Sequence, residues 1–312
     1  MPLKCTLIPS ALTDPIVSGC LPASDLELTV TTSNVDENSR RMIAGEYDVA
    51  EMSMGTFVQA RARGGDFTAL PVFLGRRFLQ PCIAYRRGVT LTTPQDLRGK
   101  RILFPQYWMT SSVWHRGIME HEYGVSAREV TWLTTQSERM DAAFTPGVNV
   151  TQIEEWSLPS FFERVYDLVD SESVDVVFFP RSPEDRSRTE FLFADPVEAS
   201  LEYYRRTGVY PLMHAIVVRA SLLRDRPALS GQLIELFSRA KREAYERPGE
   251  RHMESPIATR SFAEAQALLG GDPYPFGVEA NRDAIEAFLT FAAEQRVSDR
   301  KLSVGEAFGG VA

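Results

Sequence analysis

The sequence is short of cysteine, histidine and positive charge, and it has no long apolar run. Each shortage removes a class of function. Three cysteines, Cys5, Cys20 and Cys82, stand too far apart for a disulfide framework or a thiolate metal site. The four histidines are His115, His121, His214 and His252; the first two, six apart on one expected helix, fall on different faces, so no metal is expected. No stretch reaches the roughly 18 apolar residues of a membrane span. The opening residues, Met1-Pro2-Leu3-Lys4-Cys5-Thr6-Leu7, lack the charged start and long apolar stretch of a secretory signal, which predicts a cytoplasmic protein. Lys and Arg number 34 against 42 Asp and Glu, a net charge of −8. That sign argues against nucleic-acid and membrane partners while allowing a local basic pocket. The glycine-rich nucleotide loops, H-E-x-x-H, C-x-x-C and G-x-S-x-G are all missing.

What is present suits a layered α/β protein. At roughly 150 residues per domain, 312 residues predict about two domains. Alternation of apolar and polar residues predicts strands over 3–7 and 26–30, and apolar runs predict strands over 48–51, 69–73, 81–85, 101–104, 130–133, 174–179 and 214–219. Helices are expected over 39–44, 53–63, 111–123, 158–169, 229–246, 261–269 and 279–295, several closed by glycine. No repeat or Gly/Ser linker separates the two expected units. Two α/β units without a linker are often joined by two short crossing strands.

Hydroxyl groups gather where strands end and helices begin. Ser53 follows the strand at 48–51, and Thr110-Ser111-Ser112 follows the strand at 101–104. A helix N-terminus carries unpaired N–H groups and a partial positive charge, and α/β sheets bind ligands at the carboxyl ends of their strands. Plain helix capping is the simpler reading of each. Arg76-Arg77, expected in a turn between two apolar strands, offers a guanidinium pair for a dicarboxylate. Arg181, directly after the strand at 174–179, has the same topological position, with a surface ion pair as its plainer role. His214 opens a strand beside Pro211 and is placed for proton transfer near neutral pH, or for a structural hydrogen bond. Phe78, Tyr107, Trp108 and Trp114 are either an aromatic pocket or core.

The segments at 46–64, 70–78, 93–102, 109–125, 203–219 and 272–282 together resemble the 4,5-dihydroxyphthalate decarboxylase family. That resemblance implies a type 2 periplasmic-binding-protein fold, α/β, with an interlobe cleft. One lobe would take 1–84 and 209–312, the other 85–208. It also implies a cytoplasmic lyase of aromatic compound catabolism, acting without any cofactor on a small aromatic carboxylate, with self-association left open. His214, within Pro211-Leu212-Met213-His214, is the candidate proton donor; Ser53, Arg76, Thr110 and Ser111 are candidates for binding the substrate's carboxylates, with Arg181 beside them. Two positions depart from the family pattern. Leu79-Gln80 stands where the family has an Arg-His pair, and Gln106 where it has Glu, so Gln80 and Gln106 would contact the substrate as neutral groups. The departures imply a substrate with fewer acidic groups or a loss of decarboxylase activity. A solute-binding protein or sensor for an aromatic or carboxylate ligand, and a dehydratase on the same scaffold, are the alternatives.

Overall fold

A computed structural model describes residues 2–21, 26–138, 144–246, 255, 257 and 260–309. His252 lies outside them. The chain divides into two compact units. The first comprises residues up to Arg76, Leu212–Leu289 and those from Ser298; the second comprises Arg77–Pro211 and Thr290–Val297.

The first unit opens with strands β1 (Leu3–Leu7), β2 (Leu28–Thr32), β3 (Val49–Ser53), β4 (Phe67–Ala69) and β5 (Gly75–Arg76). The second unit holds β6 (Ile83–Arg86), β7 (Arg101–Phe104), β8 (Thr131–Thr134), β9 (Asn149–Gln152), β10 (Val176–Phe178) and β11 (Thr189–Phe191). The chain then returns to the first unit through β12 (Leu212–Arg219).

The first sheet runs β2-β1-β3-β12-β4, with β5 also on β12. β1 is parallel to β2 and β3, whereas β12 is antiparallel to β3, β4 and β5. Strands covered on both faces read as continuous buried runs, and every residue of β3 is buried. Leu3, Cys5, Leu7, Val49, Ile216 and Val218 join Leu229, Leu233 and Phe237 of the helix Leu229–Glu246 in one core. Burying each such large side chain contributes about 1.5–3 kcal/mol. The second sheet runs β11-β6-β10-β7-β8-β9. Its core gathers Ile102, Phe104, Trp114, Ile118, Trp132, Phe161 and Phe178. Gly117 lets residue Phe291 approach the helix Thr110–Tyr123, since a methyl there would stand 2.1 Å from the ring.

Several boundaries differ from expectation for local reasons. The first crossing between units lies at 76/77 and not 84/85, because Ile83–Arg86 pairs with β10 and β11. The helix expected over 39–44 begins at Val35, because Asn34 caps it by accepting from the Glu37 N–H at 2.9 Å. The strand expected over 69–73 is only the end of β4; beyond it Leu70 and Val72 exchange backbone bonds with Ile216 without forming a strand. The helix Pro196–Thr207 was not expected, although Asp195 caps it and Gly208 closes it with a positive φ.

Candidate active site

His214 is the second-strand partner of Ser53: the two stand opposite each other in the β3–β12 register. Glu51 lies two residues before Ser53 on β3, so all three side chains issue from one face of the sheet. Nδ1 of His214 is 3.1 Å from Oε1 of Glu51. The other carboxylate oxygen of Glu51, Oε2, accepts the backbone N–H of Ile8 at 3.0 Å. Glu51 is 3% exposed, and the side chain of His214 is 22% exposed. A buried carboxyl is costly unless bonded, and here both oxygens have polar partners. Gly75 of β5 faces His214 across the other strand edge, where a Cβ would lie 2.8 Å from Nδ1. A glycine is therefore what leaves the imidazole its place. Burial, and then the neighbouring Glu51 and Asp48 carboxylates, push the Cys5 thiol far above its ordinary value.

Ser53 occupies the N-cap of the helix Met54–Ala62, but its hydroxyl makes no capping bond to that helix. Arg76 is not in a turn: it belongs to β5, opposite Leu212, and is 5% exposed. Its Nη1 donates to Oδ1 of Asn281 at 2.6 Å, and Nδ2 of Asn281 donates to the carbonyls of Pro275 and Gly277. The segment at 275–281 therefore fixes the guanidinium.

In the second unit Thr110, Ser111 and Ser112 are all buried, but they form the first turn of the helix Thr110–Tyr123 and do not cap it. Met109 holds the cap position and supplies no side-chain oxygen. Gln106 donates from Nε2 to the Ser137 carbonyl at 2.6 Å. Oε1 of Gln80 accepts from Ser200 Oγ at 3.2 Å. Arg77, which belongs to this unit, donates from Nη1 to the Pro180 carbonyl at 2.8 Å. Arg181 is at the surface, its side chain 57% exposed, ion-paired with Glu184 at 3.6 Å and lying over the Phe162 ring. This is the surface role weighed for it from sequence. Phe78 stacks on Tyr210 within the unit, and Trp114 packs edge-on against Phe291, so these aromatics serve the core.

Three residues that sequence reading passed over matter here. Glu51 was visible as the acid that closes the strand expected over 48–51, and Asn281 sat in a segment already noted. Arg116 had no signal beyond its helix position. It is buried, with its guanidinium 3.6 Å above the Tyr107 ring, donating from Nη2 to the Tyr107 carbonyl and from Nε to Gln295 Oε1. Burial holds its pKa below the usual arginine value. His115 is buried and neutral, pushed down to about 3 by desolvation. His121 pairs at the surface with Glu294 at 2.7 Å. Among the described residues no three His, Cys, Asp or Glu side chains are grouped as metal ligands, and no helix is long and apolar enough to cross a membrane.

Comparison with known proteins sets the class first. The family described as ABC transporter, phosphonate, periplasmic substrate-binding protein matches residues 26–153. The structure is similar to the periplasmic aliphatic sulphonate binding protein SsuA from Escherichia coli, with TM-score 0.60, 11% identity, and coverage of 98% of this chain and 91% of that one. The fold is thus periplasmic-binding-protein-like α/β. In sequence the chain is similar to 4,5-dihydroxyphthalate decarboxylase from Comamonas testosteroni, at 29% identity over 86% of this chain and 84% of the relative. It is also similar to the enzyme of that name from Pseudomonas putida, at 29% identity over 51% of this chain and 64% of the relative. The resemblance read from the segments above is therefore carried by the whole-chain comparison as well.

Proposed function

We propose that the protein is a non-oxidative decarboxylase of a hydroxylated aromatic carboxylic acid. The observation that carries this reading is the Glu51–His214 pair beside Ser53, at the end of the fully buried strand β3. Solute capture needs hydrogen-bond donors and a shaped cavity; it does not need an imidazole held against a buried carboxylate. Decarboxylation does need a proton donor. A ring hydroxyl ortho or para to the reacting carbon feeds electron density into it. The imidazolium Nε2–H of His214 protonates that carbon, the bond to the carboxylate breaks, and its electron pair restores the aromatic ring as CO2 leaves. His214 is then neutral and takes its next proton from solvent. The net change is one proton consumed and one CO2 released, with no electron transfer, so the reaction requires no redox cofactor. Arg76 and Ser53 supply a cation and a hydroxyl for the substrate's anionic groups.

The names of the sequence relatives support dihydroxyphthalates as the first substrates to try. Leu79-Gln80, neutral where the resembled family carries an Arg-His pair, favours a less acidic ring acid. Hydroxybenzoates and hydroxylated phthalates, offered as a panel, test this by CO2 release. In His214→Asn, turnover should fall roughly 10²–10⁴-fold, the worth of a positioned general acid, while ligand affinity changes far less. The second reading is a solute-binding protein, favoured by the fold neighbour. Tight binding of a panel member with no CO2 from any of them would establish it and refute the first.

A further inference from the structure

We infer that Glu51 is a positioning residue for His214: it holds the ring with a proton on Nδ1, leaving Nε2 to face the ligand. The chemistry rests on the decarboxylase reading, but the geometry does not. An ionised carboxylate only accepts hydrogen bonds. One oxygen of Glu51 is taken by the Ile8 N–H, fixed by the start of the chain's first loop, and the other meets Nδ1 at 3.1 Å. With Glu51 as the carboxylate, the ring nitrogen is the donor. Glu51 is buried in a fully buried strand, so it cannot turn to water to escape this arrangement. Gly75 completes the slot, because any side chain there would strike Nδ1 and push the ring off Glu51. Among the described residues no other hydrogen bond ties the imidazole, so its tautomer depends on this one contact.

The same geometry predicts an inversion. In Glu51→Gln the Ile8 N–H still requires an acceptor, so the new amide must turn its oxygen to Ile8. Its NH2 group then faces Nδ1, which must accept, and the neutral ring carries its proton on Nε2. An imidazolium would place N–H against N–H and is disfavoured, so the acid form needed for protonating carbon is lost. Glu51→Asp keeps a group that only accepts and should retain the Nδ1–H form.

The test is nitrogen-15 NMR of histidine-labelled protein with the rings neutral, His214 being identified by its absence in His214→Asn. The expected result is an Nδ1–H signature for His214 in the native protein and in Glu51→Asp, and an Nε2–H signature in Glu51→Gln. Turnover should fall at least tenfold in Glu51→Gln with KM changed less than threefold, and Glu51→Asp should recover part of it. Gly75→Ala, a change outside the carboxylate, should abolish the Nδ1–H signature if Glu51→Gln proves unstable. An Nε2–H ring in the native protein, or an unchanged ring in both Glu51→Gln and Gly75→Ala, overturns the inference. Absence of CO2 release from the native protein overturns the decarboxylase reading alone, since the tautomer is read without substrate.

Discussion

His115 should make the second unit lose stability as the pH falls from 7 to 5, and a leucine in its place should remove that loss. The ring is buried, lies 4.7 Å from the Phe178 ring, and borders a narrow void that admits no water, lined by Leu79, Gln80, Ile83, Ile118 and Met119. Desolvation pushes its pKa down to about 3, against about 6.5 in the unfolded chain. The folded ring thus stays neutral between those values while the unfolded ring takes a proton. Stability is therefore full above about pH 6.5 and falls with decreasing pH until the folded ring also titrates near 3. At about 1.4 kcal/mol per pH unit, the difference between pH 7 and pH 5 is about 2 kcal/mol. That figure is insensitive to the folded value, because pH 5 lies well above it. The assay is denaturant unfolding followed by tryptophan fluorescence, which reports this unit alone: Trp108, Trp114, Trp132 and Trp156 all belong to it. His115→Leu is close in volume and buries no polar atom, so its stability should differ between the two pH values by about 2 kcal/mol less than that of the native protein. Other groups cancel in this double difference. Equal pH slopes in the two proteins would refute the reasoning.

Two further outcomes follow from close packing and burial. Gly117→Ala drives a methyl into the Phe291 ring, 2.1 Å away, and overpacking of that kind should cost about 1–3 kcal/mol in the same fluorescence assay; an unchanged midpoint would mean that the ring has room to move. Of the three thiols, Cys20 is exposed, whereas burial pushes Cys82 up to about 12 and raises Cys5 further; a disulfide reagent at pH 8 should therefore modify one thiol per native chain and all three once it is unfolded. Rapid modification of Cys82 or Cys5 in the folded protein would contradict that.

Much of the fold was legible because its signals are local. The strand Arg101–Phe104 and the helix Leu229–Glu246 fall where apolar pattern and length place them. The segments missed are those whose pairing is decided elsewhere. Asn149–Gln152 is mostly exposed and polar, and becomes a strand only because β8 offers it an edge. Gly75–Arg76 is two residues long and exists as a strand only against β12. No window over the sequence contains that information.

The site divides along the same line. His214 and Ser53 were found because sequence pattern put each at a strand end; Ser53 does end β3, whereas β12 begins two residues before His214. That they are partners in register is a property of the sheet, since 161 residues separate them along the chain. Glu51 shows where the local reading stops. Within Asp48-Val49-Ala50-Glu51 nothing local says whether the acid faces water or the core. The strand is covered on both faces, so that acid is buried, and a buried acid must have partners. A carboxyl at such a position is a stronger pointer to function than any hydroxyl at a helix end: it carries a desolvation cost that an apolar residue would avoid, and its two oxygens are spent on the Ile8 N–H and the one imidazole set beside Ser53.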